Sequence, residues 1–132
     1  SKASAEEELN FNSPESIARY YMEDLRHEKQ EYMKLLLLNT KTKLIGETII
    51  SKGTVNAAII SPRELFIEAL QKGAVSIILL HNHPSGDPTP SKEDIIITKQ
   101  IQKAGELLGV NLLDHIIIGN NCYVSMRVKR LF

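Results

Sequence analysis

The stretch Val75-Ser76-Ile77-Ile78-Leu79-Leu80 carries no charge, is rich in β-branched residues and runs straight into a polar, Pro-rich segment, His81 to Pro90, expected as a loop. It reads as a central strand buried on both faces, because a half-exposed strand would alternate apolar with polar residues. Such a strand needs a covering layer above and below, so the chain must supply helices to both faces of a sheet. Ser13-Pro14-Glu15-Ser16 and Ser61-Pro62-Arg63-Glu64 are both helix starts, with Ser as N-cap and Pro at the first helical position. Glu64 is placed to complete a capping box. The first helix gathers Ile17, Tyr20, Tyr21, Met22 and Leu25 near one face and ends between Arg26 and Lys29; the second runs to Gly73. Ser91 opens a third, which reaches Leu108 and stops at Gly109.

The remaining segments predict the other strands. Glu31 to Leu38 reads as a strand from its length and its polar boundary at Asn39-Thr40, although its leucines suit a helix equally well on propensity. After a turn over 39–43, Leu44 to Ser51 returns as the second arm of a hairpin. Gly53 breaks the pattern and Val55 to Ile60 is expected as a third strand. Leu112 to Ile118 is another buried strand, Gly119-Asn120-Asn121 a hairpin turn, and Cys122 to Ser125 the return strand. The order α-β-β-β-α-β-α-β-β predicts a three-layer α/β fold, a mixed β-sheet flanked by helices. A flexible tail over 1–12 and a single domain over 13–132 complete the expected organisation, which suits a chain of 132 residues.

Composition excludes several function classes. No uninterrupted apolar run outlasts Leu35 to Leu38, far short of the ~20 residues that span a membrane, and the acidic, polar start is no signal peptide. Lys plus Arg and Asp plus Glu balance at 16 each, whereas a non-specific nucleic-acid binder carries a basic excess. Arg127, Lys129 and Arg130 form the one weak basic patch, and three charges near a chain end also read as a solvated surface. A lone cysteine, Cys122, excludes an intramolecular disulfide and a thiolate zinc cluster. It reads as a buried, inert thiol in preference to a nucleophile, and a reducing, cytoplasmic setting fits.

The chemistry-bearing residues gather at the end of the uncharged strand. Residues two apart in an extended chain point the same way, so His81 and His83 can offer two imidazoles to one metal. Pro84 stops the strand, and after six more residues Ser91-Lys92-Glu93-Asp94 brings a carboxylate back at a helix start. Two imidazoles and a carboxylate, with a fourth position for water, are a common arrangement for catalytic zinc. Ser91 to Asp94 is also a capping pattern in which Asp94 need only stabilise the first helical turn. His115 reads either as a supporting partner to these ligands or as a satisfied histidine of the core, and His27 as a surface residue.

His81-x-His83-Pro84, six residues, then Ser91-x-x-Asp94 resembles the JAMM motif of MPN metalloprotease domains. The fuller text from His81 to Ser91, with Ser61-Pro62-Arg63-Glu64 and Leu112-Leu113-Asp114-His115-Ile116-Ile117-Ile118-Gly119, is similar to the bacterial RadC branch of that family. The resemblance runs from about Ser13 to the C-terminus. It implies a cytidine-deaminase-like MPN fold, zinc held by His81, His83 and Asp94, and Ser91 stabilising an oxyanion or the attacking water. It further implies an upstream glutamate as general base. Glu31 has the matching context, and Glu28, Glu47 and Glu64 are its rivals. Many members carry Ser or Thr between the histidines, where this chain has Asn82, as the RadC branch does. RadC proteins also carry a helical N-terminal segment resembling helix-hairpin-helix modules, so this chain resembles their C-terminal domain alone.

The reaction implied is hydrolysis of an amide or isopeptide bond in a protein or peptide substrate. The alternative class is a non-catalytic, metal-stabilised interaction domain associated with DNA repair or recombination, as the branch's name suggests. Three look-alikes fail. His81-Asn82-His83 spells HNH, but HNH nucleases spread those letters over a ββα unit. A zinc deaminase needs Pro-Cys-x-x-Cys, and the His-Glu-x-x-His helix of thermolysin-like proteases is missing. The charge balance predicts duplex DNA binding no tighter than about 10⁻⁴–10⁻⁶ M at physiological salt, the non-specific range. A tight, sequence-selective shift in a binding titration would favour the alternative class.

Overall fold

The computed structural model describes residues 11–132. Their elements are α1 (Pro14–Leu25), β1 (Tyr32–Leu38), β2 (Leu44–Lys52), α2 (Pro62–Gln71), β3 (Ser76–Asn82), α3 (Lys92–Leu108), β4 (Asn111–Ile118) and β5 (Tyr123–Ser125). The strands form one sheet in the order β2-β1-β3-β4-β5. β1 is antiparallel to β2 and to β3, β3 is parallel to β4 across the α3 crossover, and β5 folds back antiparallel on β4. The sheet is mixed, as expected.

Each helix starts where its cap predicts. The Ser13 hydroxyl accepts from the Ser16 amide and the Ser61 hydroxyl from the Glu64 amide, both at 3.3 Å, with proline in the first turn of each helix. Helix α3 has the full capping box: the Ser91 hydroxyl accepts from the Asp94 amide at 3.0 Å, and the Asp94 carboxylate accepts from the Ser91 amide at 2.8 Å. Gly109 ends it in the left-handed region at φ 74°, which costs glycine nothing.

Two cores lie on the two faces of the sheet, which makes the fold three-layered. On one face Met33, Leu35, Leu37, Ile77 and Leu79 meet Leu65, Phe66 and Ala69 of α2 and Ile97 and Ile101 of α3. On the other, Leu36, Leu38, Ile78, Leu80, Ile116 and Ile118 meet Ile17, Ala18, Tyr21 and Leu25 of α1. β1 and β3 therefore alternate between two buried faces, which explains their near-continuous apolar text. Most of the expected tail lies outside the described residues, but Phe11 is packed into the α1 core. Among the described residues no helix is long and apolar enough to cross a membrane.

The structure departs from the sequence reading in three places. Val55 to Ile60 is no strand. Asn56 turns the chain there, its side-chain oxygen accepting from the amides of Ala58 at 2.9 Å and Ile59 at 3.1 Å, and Ile59 is left exposed. An asparagine that bonds the backbone two and three residues on competes directly with a strand ladder. β3 does not stop at Leu80 but runs on through His81 and Asn82. Cys122 is exposed, because it sits in the turn between β4 and β5, where its carbonyl accepts from the Gly119 amide at 2.8 Å.

Gly105, in the last turn of α3, has no room for a side chain. A Cβ there would run into the Val110 carbonyl oxygen and lie 3.3 Å from Phe66 Cζ. Glycine to alanine within a helix ordinarily gains about 1 kcal/mol. Here the sign should reverse: Gly105→Ala is expected to lose roughly 1–3 kcal/mol in urea unfolding, as overpacked sites do. A variant as stable as wild type would show that the α3–β4 connection yields freely.

Candidate metal centre

The site follows from strand geometry. Met33 lies opposite His81 in the antiparallel β1–β3 pair, and side chains two apart share a face. Glu31, one residue ahead of β1, thus falls on the same face as Met33 and meets His81, whose face is that of Leu79 and Ile77. Glu31 Oε1 lies 3.5 Å from His81 Nε2. Glu31, His81 and His83 each bring a ligating atom within 4.8 Å of the others, close enough to bind one metal ion. Asp94 enters from the first turn of α3, with Oδ1 3.4 Å from His81 Nδ1 and Oδ2 3.1 Å from His83 Nε2. The structure brings His81, His83 and Asp94 side by side, with the Glu31 carboxylate next to His81. The group whose ligating atoms all lie within 4.8 Å of one another contains Glu31 and not Asp94.

Two observations test whether these groups fit a cation. His81 is only 1% exposed, yet neither of its ring nitrogens has a hydrogen-bond partner, although a carboxylate stands near each. Leaving a buried polar group unpaired costs about 1–3 kcal/mol, which coordination would offset. His83 Nδ1 lies 2.9 Å from the Asp87 carbonyl oxygen, which can only accept, so Nδ1 carries a hydrogen. In neutral His83 this leaves a lone pair on Nε2, aimed at a carboxylate oxygen that also only accepts. A proton or a cation must stand between them. The hydrogen bond with Asp94 accordingly raises the His83 pKa, against partial burial. Burial is the largest influence on His81 and lowers its pKa despite Asp94 and Glu31 nearby, favouring the neutral imidazole that a metal requires. Burial alone would raise the Asp94 carboxyl, but the His83 hydrogen bond, the Ser91 amide and the neighbouring imidazoles outweigh it and hold the group ionised well below the usual carboxylate range.

The surroundings hold each donor in place. Glu31 is gripped by the segment after β2: the Gly53 amide donates to its carbonyl at 2.8 Å and the Val55 amide to its Oε2 at 3.2 Å. The same segment reaches α3, where the Ala57 amide donates to Glu93 Oε2 at 3.2 Å. Below the site, the Thr98 hydroxyl donates to the Asp94 carbonyl at 2.6 Å and accepts from His115 Nδ1 at 2.6 Å. His115 is wholly buried, with its ring centroid 5.7 Å from that of His81. Burial first, then the neighbouring His81, push its pKa down to about 3, so it stays neutral. It supports Asp94 through Thr98 and lies in the core, but its Nε2 has no hydrogen-bond partner, so it is not a satisfied core histidine.

Glu31's rivals stand elsewhere. Glu47 pairs with Leu36 midway along β2 and accepts from the Tyr21 hydroxyl at 2.5 Å. Glu28 lies beyond the end of α1, and Glu64 in the first turn of α2, capped by Ser61. His27 is exposed. Sequence reasoning missed Thr98 and the Val55 amide. Thr98 lies one helical turn after Asp94 and so on its face, a spacing that points to it. No sequence signal marks a backbone amide that a turn delivers.

Comparison with known proteins places this arrangement. The family profile of the RadC-like JAB domain matches residues 11–131. A UPF0758 protein of Carboxydothermus hydrogenoformans is 52% identical over 127 residues, covering 96% of this chain and 56% of that protein. One from Clostridium botulinum strain Langeland is 53% identical over 124 residues, covering 92% and 54%. Another, from Desulforamulus reducens, is 49% identical over 127 residues, covering 96% and 56%. The chain thus spans about half the length of the curated relatives it matches.

Elemental analysis of the purified protein is expected to find about one divalent transition metal per chain. His83→Ala and Asp94→Ala should each lose most of it. Equal metal in wild type and both variants would rule out the site described.

Proposed function

The chain belongs to the RadC-like JAB domain family, and on that footing we propose that it is a zinc-dependent hydrolase of amide or isopeptide bonds in proteins or peptides. The observation that carries the reading is His81, buried between two carboxylates with both ring nitrogens unpaired. Such a group costs stability unless a partner is placed against it. The donor set of imidazoles and carboxylates suits zinc, and a trio of His81, His83 and Asp94 leaves the fourth position to water, as hydrolytic sites do.

Zinc, when bound, would supply a Lewis acid and an acidified water with a pKa of roughly 7. The chain's own residues divide the remaining work. Glu31 takes a proton from the attacking water and passes it to the leaving amine. The Val55 amide occupies its Oε2, so Oε1 is the oxygen turned toward His81 and the reacting centre. Asp94 anchors both histidines while its Oδ2 also accepts from the Ser91 amide. The Asp87 carbonyl keeps the hydrogen of His83 on Nδ1 and so leaves Nε2 to coordinate. Ser91 is exposed, and its oxygen already accepts from the Asp94 amide; its hydroxyl hydrogen remains available to a developing oxyanion.

Glu31→Gln tests the role of the base. The amide keeps the shape and cannot take the proton, so zinc content and thermal midpoint should stay near wild type while hydrolysis falls by roughly 10²–10⁴. Loss of zinc in Glu31→Gln would make Glu31 a ligand instead. Ser91→Ala should also lower the rate, and through the lost N-cap it should cost about 1 kcal/mol of stability, so its kinetics need a melt beside them. Full activity of Glu31→Gln would move the base to another residue.

A further inference from the structure

We infer that Asn82, between the two histidines, is a positioning residue whose side-chain amide fixes the backbone of Glu31; the inference rests on the reading of Glu31 as general base. The backbone ladder between β1 and β3 ends at the rung Met33–His81. Beyond it β3 stays with β4, pairing Asn82 with Ile118 and donating the His83 amide to the Ile118 carbonyl at 2.9 Å. The strands would part at this end of the sheet, where the site lies. The Asn82 side chain closes the opening. Its Oδ1 accepts from the Tyr32 amide at 2.7 Å and its Nδ2 donates to the Gln30 carbonyl at 2.9 Å.

The two groups bonded by Asn82 have a particular meaning. The Gln30 carbonyl belongs to the peptide before Glu31 and the Tyr32 amide to the peptide after it. Those two planes define φ and ψ of Glu31. A primary amide offers a carbonyl and an N–H as a peptide does, so Asn82 adds one more rung to the ladder and locks the dihedrals of the base. Strand alternation turns Asn82 away from His81 and His83, and it is itself 1% exposed, so it is no ligand and meets no substrate. On the opposite side Gly53 and Val55 hold the Glu31 carbonyl and carboxylate. Asn82 thereby ties the position of the base to the strand that carries both histidines.

The test compares Asn82→Ala with wild type, each alone and in a Glu31→Gln background, with zinc loaded and the best peptide substrate of the wild type. Asn82→Ala should keep its zinc and its KM while kcat falls by up to about 10²-fold, the scale of an ångström-sized misplacement. In the Glu31→Gln background the same substitution should cost almost nothing, since no base is left to place. Equal losses in the two backgrounds would overturn the inference, as general destabilisation acts on both. Amide hydrogen exchange gives a readout independent of turnover: the Tyr32 amide should exchange faster in Asn82→Ala while the Leu36 amide is unchanged. An unaltered Tyr32 amide overturns the latch. If Asn82→Ala does not fold, Asn82→Ser, whose single hydroxyl cannot span both peptides, takes its place. A wild type without hydrolysis would remove the hydrolase reading, and exchange at Tyr32 would still decide the latch.

Discussion

The antiparallel register of β1 on β3, with Met33 opposite His81, determines where every donor of the site can stand. Two strands that run in opposite directions bring the beginning of one beside the end of the other, so a residue at the entry of β1 meets residues at the exit of β3. A slip of one residue would send Glu31 to the α1 face and leave His81 with a single carboxylate. That register is held by burial. Met33, Leu35 and Leu37 belong under α2 and α3, and Leu36 and Leu38 under α1, so no shifted pairing leaves both cores intact.

Within that frame the charges are arranged so that two carboxylates and two imidazoles face one another with too few hydrogens between them. Asp94 shows how one residue serves two ends. Capping and coordination compete only if a carboxylate is counted as a single acceptor; its two oxygens offer about four lone-pair sites. Oδ2 serves the Ser91 amide and His83, and Oδ1 looks toward His81. The helix start and the candidate metal site share these atoms.

The fold was legible because its layers are written in periodicities and caps. The uncharged run before His81 announced a strand buried on both faces, and three serines announced three helices. Val55 to Ile60 misled because its apolar letters match a strand while its conformation is set by Asn56, a single side chain bonding its neighbours' amides. The histidines and Asp94 could be read together because two-residue strand spacing and a helix cap are local features. The support given by the Val55 amide and by both bonds of Asn82 joins residues distant in the chain, and no local pattern records it, whereas Thr98 sits one helical turn from Asp94. Asn82 stood out in the sequence only as a letter differing from Ser or Thr.

His81, His83 and Asp94 come from two separate stretches, the end of β3 and the start of α3, with the Pro-rich loop between them. A metal joining them would be a cross-link. In the unfolded chain such a link closes a short loop, and a covalent bridge over a loop of about 15 residues would remove conformational freedom worth roughly 3 kcal/mol. With a single cysteine, the chain has no disulfide of its own to do this. The ion would then be a staple of the fold as well as a reagent, so that the folded population and the loaded population rise and fall together.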